Sequence, residues 1–528
     1  QEGRHIVLVR AFIHRTSSWG KMWMSPRFIE ATEDAMREDI RRRQAEYEMR
    51  YADYEEDRAY FDQQNGSNPA WRHMSAISQI HMDDYYRHAL GSGGWALGGT
   101  DGLHLPMEYN TAFGQVYGHG VSGEDDIEVM VVRQLYQMVF ADDHVDHARL
   151  DSSQAVQAGH IARAWPRIPD AYKPAVLWLW DRLLLSQGER IRFKDSDEAF
   201  FTYLHYPLGM QSRHPHDVLA SPWHAKGSGG VIFRNGFRGP EHDIIVQTLA
   251  RQQGEGNNPR PNAGALSVWA YGHEWAARPH QSSPHREHES VVHLPGLEHN
   301  RDMRGQVQEL RSDPFGGMVT MDLSLIYAGT RTRNDRHGRE RPHALVDNLL
   351  QLRTEHIADI GLRGGRSVAV DYSGLSGAPA LWVVVDDIAG GRNQAKRWHW
   401  NIPAKITDID APQLDIDGNA FQLQQGDALM RATLLHPQRV RLQAVLNHEQ
   451  DIPGQREAAT LHGIQARGRR GDEGRFIAVF TLGKEDPPSV QTLHDDDDGL
   501  RIQVGDQEIF IDGFDVRFLS PSQDEEES

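Results

Sequence analysis

The stretch from residue 224 to residue 294 constrains this chain most. Three short apolar runs, 231–233, 244–249 and 265–271, are each bounded by Gly, Pro or Asn. Short runs rich in β-branched and aromatic residues and closed by turn formers predict strands. Between and after them lie loops rich in His, Arg and Asn, 254–262 and 278–289. A sheet fixes loop ends, and loops so held commonly carry the chemistry of a site.

The chain before this stretch reads as helical over 28–188. Ser25-Pro26 is a start signal, with Pro in the first turn. A charged segment, 28–61, spaces Phe28, Ile29, Met36, Ile40, Tyr47, Tyr51 and Tyr54 near the helical period. It reads as an outer helix, with a coiled coil in a homodimer as the lesser reading. Further helices are expected at 70–90, 125–141, 152–164 and 170–186, joined by short connections. Such a succession predicts a bundle or part of an α/α toroid. An irregular transition is expected over 187–225, where Pro207, Pro215 and Pro222 fall.

Strand signals dominate after residue 229. Examples are 317–328, 366–372, 380–387 and 396–402, and Gly-Gly-Arg-Asn at 390–393 reads as a hairpin turn. A second hairpin is expected from 500–505 and 508–513. The whole second half predicts a large antiparallel β-sandwich. The acidic run 495–498 lacks the staggered spacing of a Ca²⁺ loop and reads as a solvated turn. The fold class is therefore α+β, with a helical domain over 1–200, a central β-domain over 201–410 and a C-terminal β-region over 411–528 ending in an acidic tail.

Composition narrows the partners. The 528 residues carry a formal charge of −19, which argues against wholesale nucleic-acid binding. An acidic chain can still bind an acidic polymer where its surface is locally basic. Most of the 56 cations are Arg, the better residue for gripping carboxylate or sulfate. Genome or habitat bias explains the same preference. With no cysteine, disulfides, thiolate metal sites and Cys nucleophiles are excluded. The longest apolar run, near 175–185, is broken by Asp181 and Arg182 and is too short to span a bilayer. No signal segment follows Gln1, so the chain reads as processed or trimmed, with a periplasmic or secreted location expected.

The central stretch also carries a resemblance. Phe233-Arg234-Asn235-Gly236-Phe237 ends one strand, Asn258-Pro259-Arg260-Pro261-Asn262-Ala263-Gly264 leads into another, and Arg286-Glu287-His288-Glu289-Ser290-Val291 follows later. In order and spacing this resembles the central sheet of the heparinase II/III-like polysaccharide lyases. Asn258 and Arg260 stand where that family has two histidines, and Asn262 where it has an aspartate. The resemblance implies an α/α toroid, incomplete or open here, before a β-sandwich. It also implies cleavage of a uronic-acid polysaccharide by β-elimination in a cleft between the two.

Such a lyase must neutralise the uronate carboxylate, remove the adjacent proton and protonate the leaving oxygen. The glycine-rich segment 91–120 corresponds to the one that supplies the family's catalytic tyrosine. Tyr109 is the choice for proton transfer, with Tyr117, Glu108, Asn110 and His119 close by in sequence. Asn68, Arg72 and His73 resemble the Asn-His pair that neutralises the carboxylate. Arg260 and His288 complete the catalytic set, and Arg234 and Arg286 are taken as substrate ligands. Each residue also has a structural reading: the aromatics as toroid core, Asn68 as a helix cap, His73 as a surface residue.

Family members bind zinc through two histidines and an aspartate in this sheet. Here that set is incomplete, with His280, His285 and His288 as the remaining candidates for a divalent metal, Zn or Ca. No cofactor is required by the sequence. Two other functions stay open: a glycoside hydrolase, with Glu108 and Asp101 as the nearest carboxylate pair, and a non-catalytic glycan-binding protein. A G-x-S-x-G elbow and a P-loop are absent from the sequence, and no G-x-G-x-x-G follows an expected strand.

Overall fold

A computed structural model of the chain describes residues 128–140, 145–147, 156–185, 193, 196–225, 229–250, 262–276, 289–295, 305–327, 362–391, 394–402, 412–438, 440–450, 459–467, 474–496 and 499–519. The described part is mostly antiparallel sheet with a few helices in front of it.

The first helix among the described residues is α1 (Glu128–Gln137), which ends before the expected 141. Its last apolar residues leave as strand β1 (Met138–Phe140), which pairs with β2 (Val145–His147). Then come α2 (Ala158–Ala164), α3 (Lys173–Leu185) and α4 (Ser196–His205). Helix α3 matches its expectation closely. Helix α4 lies where an irregular stretch was expected. Phe201 packs inward, but Phe200 and Tyr203 face solvent, so the apolar pattern does not trace one buried stripe. The expected helices at 28–61 and 70–90, and with them most of the expected toroid, lie outside the described residues.

A five-stranded sheet follows: β3 (Trp223–Ala225), β4 (Gly230–Arg234), β5 (Ile244–Leu249), β6 (Leu266–Ala270) and β7 (His273–Ala276), in sequential order. The three runs singled out in the sequence are β4, β5 and β6. All three are buried on both faces, and the alternation of side chains serves two cores. Ile232, Ile245, Leu249 and Trp269 pack on the helices. Val231, Phe233, Val246 and Val268 point the other way, into the sandwich.

The remaining strands are β8 (Val292–His293), β9 (Gln306–Asp313), β10 (Gly316–Asp322), β11 (Arg363–Asp371), β12 (Ala380–Ala389), β13 (Arg397–Ile402), β14 (Gln413–Asp417), β15 (Ala420–Gln425), β16 (Ala428–His436), β17 (Leu442–Gln450), β18 (Ala459–Arg467), β19 (Phe476–Gly483), β20 (Val490–Asp496), β21 (Gly499–Val504), β22 (Gln507–Asp512) and β23 (Asp515–Leu519). They make an eight-stranded sheet, β14-β15-β16-β19-β12-β11-β10-β9, and two four-stranded sheets, β17-β18-β13-β8 and β20-β21-β22-β23.

One face of the eight-stranded sheet packs on the five-stranded sheet and on the β17-β18-β13-β8 sheet. Its Val319, Val368, Trp382 and Phe480 share a core with Phe233, Val246, Trp398 and Trp400. The opposite face packs on the C-terminal sheet through Ala369, Val383 and Val479 against Ile502, Ile509 and Ile511. Buried on both sides, β11, β12 and β19 read as continuous apolar runs, whereas edge strand β14 alternates. Trp382 stacks on Phe480 at 5.0 Å between centroids; such pairs add about 1 kcal/mol beyond area burial.

Three expectations are corrected. Gly-Gly-Arg-Asn at 390–393 is not a hairpin turn: β12 pairs with β11 and β19, while β13 belongs to another sheet, so the segment crosses between layers. The run 317–328 ends not as strand but as a short helix, α5 (Ser324–Tyr327). The sandwich does not divide at 410/411, because strands from both sides of that point share sheets. The hairpin expected near 500–513 is present as β21 and β22.

Candidate functional site

The two polar loops of the sequence reading leave and re-enter the fold at one place. The first returns at Asn262–Gly264 to start β6, and the second at Glu289–Ser290 to start β8. Gly264 sits at φ +77°, which favours glycine, and a Cβ there would lie 2.6 Å from Leu323 Cδ1 and displace that methyl.

Both re-entry points are pinned by one side chain, Arg366 of β11. It stands opposite Asp386 in the register of β11 and β12 and pairs with it through Nε at 2.7 Å and Nη2 at 2.8 Å. Its Nη1 donates to the carbonyls of Gly264 and Ser290, each at 2.6 Å. Arg366 is 1% exposed and Asp386 fully buried. Burial alone lowers the Arg366 pKa, but the Asp386 charge and hydrogen bonds more than offset it, leaving the pKa above its ordinary value. One planar fork thus holds the inner ends of both loops side by side.

Strand β13 continues this polar layer. Trp398, Trp400 and Ile402 point into the sandwich core, so His399 and Asn401 lie on the opposite face. His293 of β8 and Gln465 of β18 share that face, with His399 opposite Gln465 in register. All four are buried, and the rings of His293 and His399 are 5.8 Å apart between centroids. Asn401 N–H donates to Ser290 Oγ at 3.1 Å, and His399 N–H donates to Val291 O at 3.1 Å, which ties β8 and the second loop end to β13. Two imidazoles and two amides on one face can hold an oxyanion or relay a proton.

Arg234, taken from the sequence as a substrate ligand, has another role. It is 4% exposed at the end of β4. Its Nη2 donates to Asp243 Oδ2 at 2.6 Å and its Nε to Gly236 O. Nη1 donates to Met138 O at 2.7 Å, Tyr136 O at 3.0 Å and Leu135 O at 3.2 Å. Leu135 and Tyr136 lie in the last turn of α1 and Met138 just beyond it, and α1 has no basic residue in its own last turn. The sheet therefore supplies the cation that the helix C-terminus favours. Phe237 covers the guanidinium at 3.9 Å, and burial pulls the Arg234 pKa down to about 10 against the Asp243 charge. With every guanidinium nitrogen bonded within the protein and the side chain buried, Arg234 clamps helix to sheet rather than reaching out to a ligand.

Tyr109, His73, Arg260, His288, Asn68, Arg72, Glu108, Asn110, Tyr117, His119, Arg286, His280 and His285 lie outside the described residues. Sequence reasoning missed Arg366, Asp386, His399 and Asn401. Arg366 and Asp386 sit inside apolar strands, twenty residues apart, and only the pairing of β11 with β12 makes them partners. The missed signal was a charged residue inside each of two adjacent strand runs.

In the segment after β6, Trp275 is buried, with its Nε1 donating to Ala270 O at 3.0 Å, and offers no metal donor. Asn262, which stands where the resembled family has an aspartate, is a neutral amide. Among the described residues no group of three His, Cys, Asp or Glu could hold a metal ion, and none of the described helices is long and apolar enough to cross a membrane.

No family model matches the sequence, and no curated protein matches it. Solved structures do match the fold. Heparinase III superimposes at a TM-score of 0.54 with 9% identity, over 85% of this chain and 63% of that one. Heparan sulfate lyase HepC from Pedobacter heparinus gives 0.51 with 10% identity, over 85% and 62%. The chain thus spans about 63% of the length of heparinase III, and what it has in common with these polysaccharide lyases is the fold.

Proposed function

We propose that this chain is a polysaccharide lyase that cleaves a uronic-acid-containing polysaccharide by β-elimination, in an extracytoplasmic location. The observation that carries the reading is the lyase-like fold over 85% of the chain. The convergence of both polar loops on Arg366 supports it. In this reading Tyr109 moves the proton, while Arg260, His288 and His73 neutralise the carboxylate or assist proton transfer. Asn68, Arg72, Glu108, Asn110, Tyr117, His119 and Arg286 contact the substrate. The polar face with His293 and His399 lies beside the second loop end and adds imidazoles to the site.

The test is ultraviolet absorbance of the unsaturated uronate product, followed with alginate, heparan, chondroitin, hyaluronan, ulvan and glucuronan. A rise with one polymer is expected. Tyr109→Phe should fold normally and lose about 10²-fold or more of turnover; full activity would remove Tyr109 from the role. New reducing ends without absorbance would point to hydrolysis.

A second reading, a non-catalytic glycan-binding protein, is favoured by Asn258, Arg260 and Asn262 at positions where the resembled family has His, His and Asp. Saturable binding to a polymer that the protein leaves uncut would establish it.

A further inference from the structure

The polar face of β13 reaches solvent at one end. Arg397, His399 and Asn401 alternate with Trp398, Trp400 and Ile402, so the three share the face turned away from the sandwich core. His399 and Asn401 are fully buried, whereas Arg397 is partly exposed. The layer that begins at the second loop end, where Asn401 N–H meets Ser290 Oγ, therefore opens at Arg397. Along the strand the two ends lie about 13 Å apart, longer than one sugar ring.

Register puts His293, Arg397 and Arg467 in one row across β8, β13 and β18. Like charges at directly opposite positions destabilise a sheet, and this row holds no acidic residue to relieve them. Residues 390–402 carry Arg392, Lys396 and Arg397 without an Asp or Glu. Lys396 is buried and donates to Gly390 O at 2.9 Å. Arg397 makes no hydrogen bond or ion pair among the described residues. The neighbouring carboxylates are placed elsewhere. Asp386 is bound by Arg366. Asp387 lies against Arg475, His436 and Lys396. Asp417 adjoins Gly418, whose carbonyl takes the Leu442 N–H at the start of β17, beside Arg441 rather than Arg397. Glu289 and Glu274 border the Asn401 and Trp400 end of β13. The loop after β18, outside the described residues, brings Arg469 and Arg470 with Asp472 and Glu473, two of each sign. Arg397 thus keeps a charge that no described carboxylate offsets. A planar fork in that state is a bidentate receptor for a carboxylate or a sulfate.

We propose that Arg397 is a specificity residue at a remote subsite, where its guanidinium takes the carboxylate or sulfate of a sugar unit beyond the one that is cut. The oxyanion chemistry stands on the geometry, while the sugar and the cut bond rest on the lyase reading above.

The test uses the full chain. Anisotropy titrations compare three labelled oligosaccharides: one carrying uronate without sulfate, one sulfated and one neutral. Arg397→Met should weaken the charged ligand about tenfold or more and leave the neutral one unchanged. Arg397→Lys should lie between, because it keeps the charge and loses the fork. The ligand that shows the loss, sulfated or unsulfated, names the oxyanion. Arg517→Met, on the C-terminal sheet, is the control and should have no effect. With repulsion in the row reduced, the unfolding midpoint of Arg397→Met at low salt should match or exceed wild type. A lower midpoint would make Arg397 a structural residue and overturn the subsite. Unchanged binding in Arg397→Met, or an equal loss in Arg517→Met, would do the same. A labelled single-stranded oligonucleotide that outcompetes every sugar overturns the sugar assignment. On a cleaved polymer, Arg397→Met should raise KM and leave kcat in place. Cleavage with both constants unchanged removes the subsite and leaves the lyase reading standing. Binding that is lost in Arg397→Met, with no cleavage by wild type, keeps the subsite and removes the lyase reading.

Discussion

Two buried arginines hold the central part of this molecule, and they are held differently. Arg234 faces the helices and Arg366 faces the sandwich. Each has one buried aspartate, yet burial pulls the Arg234 pKa down to about 10, while that of Arg366 stays above its ordinary value. Arg366 meets its aspartate through two nitrogens; Arg234 meets Asp243 through one and spreads the rest of its donors over backbone carbonyls. The bidentate pair concentrates its stabilisation in one partner. The distributed clamp spreads it over a helix terminus, where loss of any one contact is buffered by the others.

This contrast can be broken by experiment. Asp386→Asn should cost about 3–5 kcal/mol in denaturant unfolding, because it leaves a buried guanidinium unpaired and loosens both loop ends. Asp243→Asn should cost about 2 kcal/mol, since Arg234 keeps Gly236 and the α1 carbonyls and the amide can still accept. Equal losses would erase the distinction between the two arginines. Gln137→Leu probes the clamp's neighbour: it removes a buried oxygen that has no hydrogen-bond partner among the described residues, and also the 2.8 Å donor to Gln247. These effects oppose, so the net change should stay within about 1 kcal/mol.

The smallest effect is in pH. Tyr206 donates to Asp181, and that hydrogen bond, with burial, pushes its pKa from 10 up to about 12. A phenol whose folded pKa is raised contributes stability that is full below pH 10 and is lost as pH rises through about 12. Tyr206→Phe should therefore flatten the fall in unfolding midpoint over that window. An unchanged slope would mean that the hydrogen bond does not survive in solution.

Much of the sheet was legible because its strands are short apolar runs between Gly, Pro and Asn, as at β4, β5 and β6. What local pattern cannot carry is pairing. Glycines at 390 and 391 sit at positive φ and look like a hairpin, yet they mark a crossing between sheets. Helix α4 escaped because its exposed Phe200 and Tyr203 blur the apolar stripe. At the site, Arg234 looked like a ligand because an arginine at a strand end is free to reach outward unless a helix terminus lies over it, and sequence does not show what lies over it. The loops that carry the named lyase residues were recognisable by composition; Arg366, which joins their ends, was not, since its partners come from three separate segments.

The pairing of β12 with β19 has a consequence for how the chain is made. Val383 of the one is opposite Val479 of the other, so nearly a hundred residues must leave the ribosome before the middle of the eight-stranded sheet can close. Until then the Leu-Trp-Val-Val-Val edge of β12 stands open, an apolar strand with unpaired backbone groups and a template for other nascent chains. Synthesis that stalls or is truncated ahead of β19 therefore leaves a chain prone to aggregate, and efficient production depends on that edge being shielded until the closing strand arrives.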